Sequence, residues 1–566
     1  MDTTPLEVLK ESIFHLLRAG HDLPAGDPVP FRIGPSPERK FGHFSTNVAM
    51  AYAKVLKTPP RQIALSLVKG LEALPDIESV SIEGAGFINM LLKPSYFHER
   101  VLRILQGEYT ANFSLFPPDP IQIEFVSANP TGPLTIGHGR QAVLGDVLSS
   151  VFQKAGAALT REYYFNDAGK QMKLLSRSLW VRYNRLCGSE YEIPEGGYHG
   201  EYLSGIAEGL YREKGDAYRD RWDDSIEALF TERAKNEIFQ MIKRTLESIG
   251  IRFDVYYTEG SLFRDGTVDE VLRQLRDREA LYEKDQALWF KTSDFEEDQD
   301  KVLIRSDGMP TYFLTDIAYH YAKYRRGFSK VYDIWGADHH GHIARMNAAM
   351  RALGIPEGFF NVILHQMVSL RQNEEIVKMS KRSAHFVSLD ELVQKVGKDA
   401  VRYFFAMVDK DSQFEFNIDL ALSRSMDNPV YYVQYAVARI HSLFENARNK
   451  GLLFAEFQNI DQLDSEDETF LIRDLLLFPE IIREICATQQ IHRLTNYLYG
   501  LAYAFHNYYT GHVFVDLKQP VSYTHLRAHE TVLDLVCRLL LEKKNPIHIE
   551  LSHTHPFFYL TPSFQS

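Results

Sequence analysis

A parallel-sheet α/β domain, preceded by a small α/β unit and followed by an all-α bundle, is the architecture the sequence predicts. Three observations predict it. Residues 121–165 read as strand, glycine-bearing loop, helix and strand, the βαβ unit of a parallel sheet. Residues before 116 combine one amphipathic helix with a strand pair. From about 388 to 516 the text turns helical and strand-poor, with many aromatics. A chain of 566 residues accommodates three or four domains.

Each part follows in order. "PLEVLKESIFHLLRAG" is a helix, with Leu6, Val8, Leu9, Ile13, Leu16 and Leu17 near helical spacing and Gly20 as its stop. "VSIEGAGFINMLL" reads as two short strands about a glycine turn, and "FPPDP" marks a boundary, so the first domain spans 1–115. "IQIEFV" puts Ile121, Ile123 and Phe125 on one face and Gln122 and Glu124 on the other. A Pro/Gly loop follows. Leu144, Val147, Leu148, Val151 and Phe152 then repeat at helical spacing until Gly156, and "LTREYYF" is the next strand. Ligands of such sheets bind beyond the carboxyl ends of the strands, where this loop sits. The domain runs over 116–387, with a helical insertion at about 175–250 that closes on the amphipathic "IEALFTERAKNEIFQMIKRTLESIG". The α/β pattern resumes at "KVLIRSDG", "VYDIWGADHH" and "NVILHQMVSL". Residues 388–520 form the helical domain.

Composition narrows the class. No run of 18 apolar residues exists, so no membrane span is expected. The N-terminus lacks a signal pattern. Cys187, Cys486 and Cys537 lie far apart, with neither a disulfide framework nor a zinc spacing, which points to the reducing cytoplasm. The net charge is −12, so any RNA must be held by local basic patches and shape.

A glycine loop opening a helix is an anion site, because backbone N–H groups and the helix dipole both favour a phosphate. In "TIGHG", Gly137 and Gly139 let a nucleotide approach the backbone and His138 donates a hydrogen bond. Alone, this reads equally as a plain βα turn. In "EEIVKMSKRSAHFVSLDEL", Lys378 and Lys381 are three apart with Ser380 between them. Two ammonium groups suit a leaving pyrophosphate, although an isolated pair of this kind is usually a solvated surface loop. Both loops in one α/β domain are more specific than either.

That pair resembles the two signature loops of class I aminoacyl-tRNA synthetases. "TIGH" stands where the family shows His-x-Gly-His, and "KMSKR" where it shows Lys-Met-Ser-Lys-Ser. Within the class the text resembles bacterial arginyl-tRNA synthetases from about residue 5 to 520, through "EFVSANPTGPL", "REYYFNDAGKQ", "PTYFLTDIAYH", "IWGADHHGHIARM", "DNPVYYVQYAVARI" and "HRLTNYLYGLAYAFHNYY".

The resemblance implies a class I synthetase Rossmann-type catalytic domain, an N-terminal additional domain that reads the tRNA elbow and a C-terminal anticodon-binding bundle. It implies ATP with Mg2+ as the substrate complex, L-arginine, tRNA(Arg), no structural metal, no membrane and a monomer. Arginyl-adenylate forms first, and the arginyl group then passes to the terminal ribose 2′-hydroxyl. Positioning and charge stabilisation do most of this chemistry. His138, Lys378 and Lys381 are the implied catalytic residues. Thr135, Gly137, His138, Gly336, Asp338, His339, Met379, Ser380 and Lys381 are the implied ATP contacts. The rival for "GADHH", a metal site of His339, His340 and His342, has no further ligand motif.

A guanidinium needs carboxylates aimed at a fixed fork. Tyr312 and Asp316 are four apart and share a helix face. The resemblance assigns them to arginine, with Glu259 as second carboxylate and Glu124 and Asn129 at the α-amino group. Asp316 reads otherwise as a helix N-cap beside Thr315. For RNA, Tyr431, Gln434 and Tyr435 are anticodon candidates alongside Tyr432, against a reading of core aromatics. Phe87 and Asn89 match elbow-reading positions, although Phe87 also reads as core.

Two departures stand out. Thr135 replaces the first signature histidine, which predicts slower adenylation without loss and, with the odd tail, motivates the alternative of a non-catalytic tRNA-binding paralogue. The tail, residues 521–545, resembles a translated transposase-type sequencing adapter. The fit is residue by residue over Val521–Thr531 and Leu535–Lys544, either side of an index-sized gap. Such a scar is excluded from fold reasoning. Its rival is a divergent C-terminal helix, "HETVLDLVCRLLLEKK". Residues 546–566 carry no reading.

Overall fold

Each domain's elements follow from the patterns just read, and the computed structural model describes residues 4–23, 29–105, 114–167, 169–295, 299–373, 375–377, 387–450 and 460–512. The N-terminal unit comprises α1 (Pro5–Gly20), β1 (Ile33–Pro35), β2 (Phe44–Thr46), α2 (Val48–Leu56), α3 (Pro60–Glu72), β3 (Ile77–Glu83), β4 (Phe87–Leu92) and α4 (Pro94–Leu105). Helix α1 starts where Thr4 and Glu7 form a reciprocal capping box, and it buries Leu6, Leu9, Ile13 and Leu17. The four strands pair antiparallel in the order β1-β2-β4-β3.

The central domain opens with β5 (Ile121–Glu124), α5 (Ile136–Lys154) and β6 (Leu159–Phe165). The insertion follows as α6 (Lys170–Leu186), α7 (Tyr202–Lys214) and α8 (Asp224–Ser248). Next come β7 (Val255–Thr258), α9 (Glu259–Arg264), α10 (Thr267–Asp277), β8 (Leu281–Lys284), β9 (Ala287–Phe290) and β10 (Lys301–Ile304). Then α11 (Tyr312–Arg325), β11 (Lys330–Gly336), α12 (His340–Ala352), β12 (Phe360–His365), β13 (Val368–Gln372) and β14 (Glu375–Val377) complete it.

The main sheet is parallel throughout, in the order β12-β11-β5-β6-β7. From β5 the chain adds strands to one side, then crosses to add β11 and β12 on the other. The strand order therefore reverses between β5 and β11, and ligands of such sheets bind outside the carboxyl ends at this switch point. All four residues of β5 are buried, so its polar face meets protein, as a doubly covered parallel sheet requires. The segment "KVLI" does not join this sheet; β10 pairs antiparallel with β9 in a separate three-stranded sheet. "NVILHQMVSL" is likewise divided at Gln366 and Met367: β12 ends the parallel sheet and β13 pairs with β14 and with the strand Phe414–Asn417.

The helical region holds α13 (Leu389–Val396), α14 (Lys398–Ala406), β15 (Phe414–Asn417), α15 (Ile418–Leu422), α16 (Pro429–Asn449), α17 (Glu466–Leu476), α18 (Phe478–Thr488) and α19 (His492–Gly511). It packs back on the N-terminal unit. The His98 ring bonds Leu463 O at 2.8 Å, Arg39 pairs with Asp467, and Arg483 with Glu7. His43 is buried in this contact, accepting Leu92 N–H on Nδ1 and meeting Thr469 Oγ1 through Nε2. Burial, aided by Arg473, pulls its pKa down to about 4. No helix among the described residues is long and apolar enough to cross a membrane.

Candidate active site

The chain leaves β5 through Val126 and Ser127, whose φ values are +69° and +37°. A β-branched residue in this region costs about 1–3 kcal/mol. The turn brings Ser127 Oγ back to donate to Glu124 Oε1 at 2.7 Å.

The loop then reaches Thr135, the N-cap of α5. Thr135 Oγ1 accepts from His138 N–H at 3.5 Å, and His138 Nδ1 accepts from Thr135 N–H at 3.0 Å. A ring that accepts on Nδ1 carries its proton on Nε2 when neutral, so Nε2 is the donor nitrogen. Thr135 is thus a helix cap, a role threonine suits. A Cβ on Gly137 would meet only Thr135 Oγ1, at 3.7 Å, so its surface is open. Gly139 corrects the sequence reading. A Cβ there would lie 2.6 Å from Leu389 and 3.0 Å from Phe405, so helix packing, and not approach of a nucleotide, requires glycine.

Lys378, Met379, Ser380 and Lys381 lie outside the described residues. The flanking chain is placed. Glu375–Val377 pairs with β13, and Ser388 bridges Thr135 while Leu389 N–H donates to Leu134 O at 2.8 Å. The chain after the second signature therefore runs beside the first. Arg140, one turn into α5, donates to the carbonyls of Gln366 (2.9 Å), Ser412 (3.0 Å) and Asp409 (2.8 Å), fastening the helix to the end of β12 and the chain beyond α14. Gly336 ends β11, and exposed Asp338 and His339 follow in a single 3-10 turn. The three histidines of "GADHHGH" do not converge: His342 turns to Asp316, and no metal-holding group of His, Cys, Asp or Glu is found among the described residues.

Register builds the floor of the site. Glu124 lies beside Glu162 of β6 and Asp333 of β11, so three carboxylates form a row across the sheet. Helix α11 and its C-cap answer with Tyr319, His320, Lys323 and Arg326. Lys323 is 0% exposed and bonds Glu124 Oε2 at 2.6 Å and Asp333 Oδ1 at 2.7 Å. His320 bonds Asp333 Oδ2 at 2.7 Å. Arg326 forks onto Glu162 at 2.6 and 2.8 Å, and Tyr319 OH donates to Glu162 at 2.7 Å. Burial alone would raise the Asp333 carboxyl, but Lys323 and His320 pull it down to about 2. Burial and Asp333 raise the Glu124 carboxyl against the pull of Lys323.

The upper part of α11 differs. Its N-cap is Thr311, so Asp316 is no cap; it stands one turn in and accepts from His342 Nε2 at 2.9 Å. Glu259 opens α9, is 6% exposed, and accepts from Tyr164 OH at 3.1 Å. Asp167 accepts Gly260 N–H at 3.1 Å and lies 3.8 Å from Lys235. Burial, with Asp316 and Asp167 nearby, pushes the Glu259 carboxyl up to about 7 despite the Tyr164 donor. Tyr312 is 54% exposed at the mouth, and exposed Asn129 donates to Gln171 Oε1 at 2.8 Å. The structure thus gathers Glu124, Glu259 and Asp316 and leaves Tyr312 and Asn129 on the rim. Sequence reasoning missed Tyr164, Asp167, Lys323 and Asp333. The signal was present in α11, where Tyr312, Asp316, Tyr319, Lys323 and Arg326 continue one helical face.

For the RNA candidates, Phe87 is 46% exposed at the start of β4, so it is not core. Asn89 is 4% exposed between Ser45 and Ser81, a placement that leaves its side chain little surface to offer. Tyr431 and Tyr435 stack nearly parallel, 8° apart with centroids at 6.1 Å. Exposed Gln434 donates to Asp399. Tyr431 and Gln434 line a cavity of about 420 Å³ with Lys398, Arg424 and Asn428. Tyr432 is packed against Tyr499 and His506.

The sheet with its switch point and capped glycine loop is the catalytic domain of a class I tRNA synthetase: residues 112–413 match the family described as "tRNA synthetases class I (R), catalytic domain". Residues 7–92 match "Arginyl tRNA synthetase N terminal domain", and 433–539 match "DALR anticodon binding domain". An arginine–tRNA ligase of Thermotoga petrophila is 54% identical over 87% of this chain and 90% of its own length. One from Bacillus velezensis is 42% identical over 90% and 92%. The chain belongs to the arginyl-tRNA synthetase family. Thermus thermophilus arginyl-tRNA synthetase shares the fold at a TM-score of 0.72 and 22% identity, over 95% of this chain and 99% of that one.

Proposed function

We propose that the protein ligates L-arginine to tRNA(Arg) through arginyl-adenylate, with ATP and Mg2+ entering as the substrate complex and the arginyl group passing to the terminal ribose 2′-hydroxyl. The observation that carries the substrate is the convergence of Asp316 and Glu259 beside Tyr164, where burial makes an incoming cation favourable. Their geometry suits a guanidinium, with Glu124 and Asn129 towards the α-amino group and Tyr312 at the mouth. His138 at the α5 N-terminus supports a phosphate contact from Nε2, with Thr135 and Gly137 beside it. Gly336, Asp338 and His339 are assigned to the adenosine side, and Lys378, Met379, Ser380 and Lys381 to the pyrophosphate. Phe87, Tyr431, Gln434 and Tyr435 are the RNA-facing candidates, with Asn89 a supporting neighbour of Phe87.

We also read the domains as 1–115, 116–387 and 388–520, and 521–545 as adapter read-through. The "DALR anticodon binding domain" match extends to 539, into that stretch. An uninterrupted genomic locus encoding 521–545 ends the adapter reading. Arginine-dependent ATP–pyrophosphate exchange in the presence of tRNA(Arg) tests the activity. Its absence, with tRNA still bound, leaves only the binding paralogue.

A further inference from the structure

Tyr164 joins the two proposed ends of the amino-acid site. Its ring stacks on Tyr319, with centroids at 4.1 Å and planes 23° apart. Its hydroxyl donates to Glu259 Oε2. Its backbone N–H donates to Ser127 Oγ at 3.0 Å, and Ser127 in turn donates to Glu124. Burial and the charges of Glu259, Asp316 and Glu124 push its phenol well above the usual range, so it remains a donor.

We propose that Tyr164 is a positioning residue that aims Glu259 at the substrate guanidinium, and that arginine binding expels a proton from Glu259. This rests on the arginine reading above. In the ligand-free site the Glu259 O–H bond exchanges its proton with water. When the guanidinium enters, that proton leaves to solvent and the carboxylate stays paired with the cation, so charge and atoms balance. The groups facing Glu259 are Tyr164 of β6, Asp167 after β6 with Lys235 of α8 beyond it, and Asp316 of α11 with His342 of α12 on its oxygen. Its own helix contributes the Gly260 N–H, which Asp167 occupies, and Arg264 near Gly260. Asp316 and Asp167 oppose ionisation of Glu259, and the Tyr164 hydroxyl favours it.

Tyr164→Phe keeps the ring and removes only the donor. Its KM for arginine should rise about 10-fold or more, the loss typical of a hydrogen bond to a charged group, with kcat within about twofold. The acid limb of kcat/KM for arginine should move up by about one pH unit and the gap to wild type should narrow towards pH 9. Tyr319→Phe, which removes a hydroxyl from the same stack but bonded to Glu162, should leave the acid limb in place. A Tyr164→Phe profile that falls without moving in pH overturns the proposal, since loosened packing would do that. The wild type supplies a test that needs no variant. Calorimetric titration with arginine at pH 7 in two buffers of different ionisation enthalpy should show proton release on arginine binding. No release overturns the proposal while leaving arginine binding standing; no arginine-dependent exchange at all overturns both.

Discussion

Helix α11 lies against carboxylates at both ends of one face: Glu124, Glu162 and Asp333, all buried, at one end, and buried Glu259 with the helix's own half-buried Asp316 at the other. At its C-terminal end, Lys323 and Arg326 pair with Glu124, Asp333 and Glu162. Towards its N-terminal end, Glu259 accepts from the Tyr164 phenol and Asp316 from the His342 imidazole, on which Arg345 in turn donates. No lysine or arginine pairs with Asp316 or Glu259 among the described residues. Carboxylates answered by the protein's own cations hold the fold together whatever else they do, because removing either partner strands a buried charge. Carboxylates with no lysine or arginine partner raise the cost of the empty site and lower the cost of a cationic ligand.

Asp316→Asn tests the upper half most severely. It should lower kcat/KM for arginine by about 1000-fold, as expected when the carboxylate of a hydrogen-bonded charge pair with the ligand is removed. A loss below tenfold in the exchange assay would place the guanidinium elsewhere. Lys323→Met tests the lower half by removing the ammonium shared by Glu124 and Asp333, leaving Ser127 on the first and His320 on the second. It should destabilise the domain by about 3–5 kcal/mol in urea unfolding, and a change under 1 kcal/mol would make that pairing dispensable.

Glu259→Gln should show the opposite sign. A carboxyl lifted from its ordinary value to about 7 contributes stability below the unfolded value, and this is lost as pH rises through about 7. The ligand-free variant should therefore outlast wild type at pH 8 by up to about 3 kcal/mol and show no advantage near pH 4. Equal melting temperatures at pH 8 would show that the site has its own counter-charge. Thr135→Ala, away from both clusters, removes only a helix cap and should cost about 1 kcal/mol. Unchanged stability would show that the Thr135 cap is not needed to hold the start of this helix.

Much of this was legible in the chain. Helix α1 ends at Gly20 as its periodicity predicts, and the βαβ unit at 121–165 forms as read. The i, i+4 spacing put Tyr312 and Asp316 on one face. Gly139 was misread because the residues crowding it, Leu389 and Phe405, lie about 250 positions away in sequence. The polar face of "IQIEFV" was visible, but its partners in β6, β11 and α11 were not.

The sequence by itself determined what is local: helices and strands from apolar periodicity, and the helix start that follows the glycine loop. Tertiary structure alone decided which carboxylates share a row, which of them meet Lys323 and Arg326, and which are left with Tyr164 and His342. The reason is physical. Periodicity and capping act over a few residues, whereas the ionisation of a buried carboxyl depends on strand register and on charges brought within a few ångströms from distant parts of the chain.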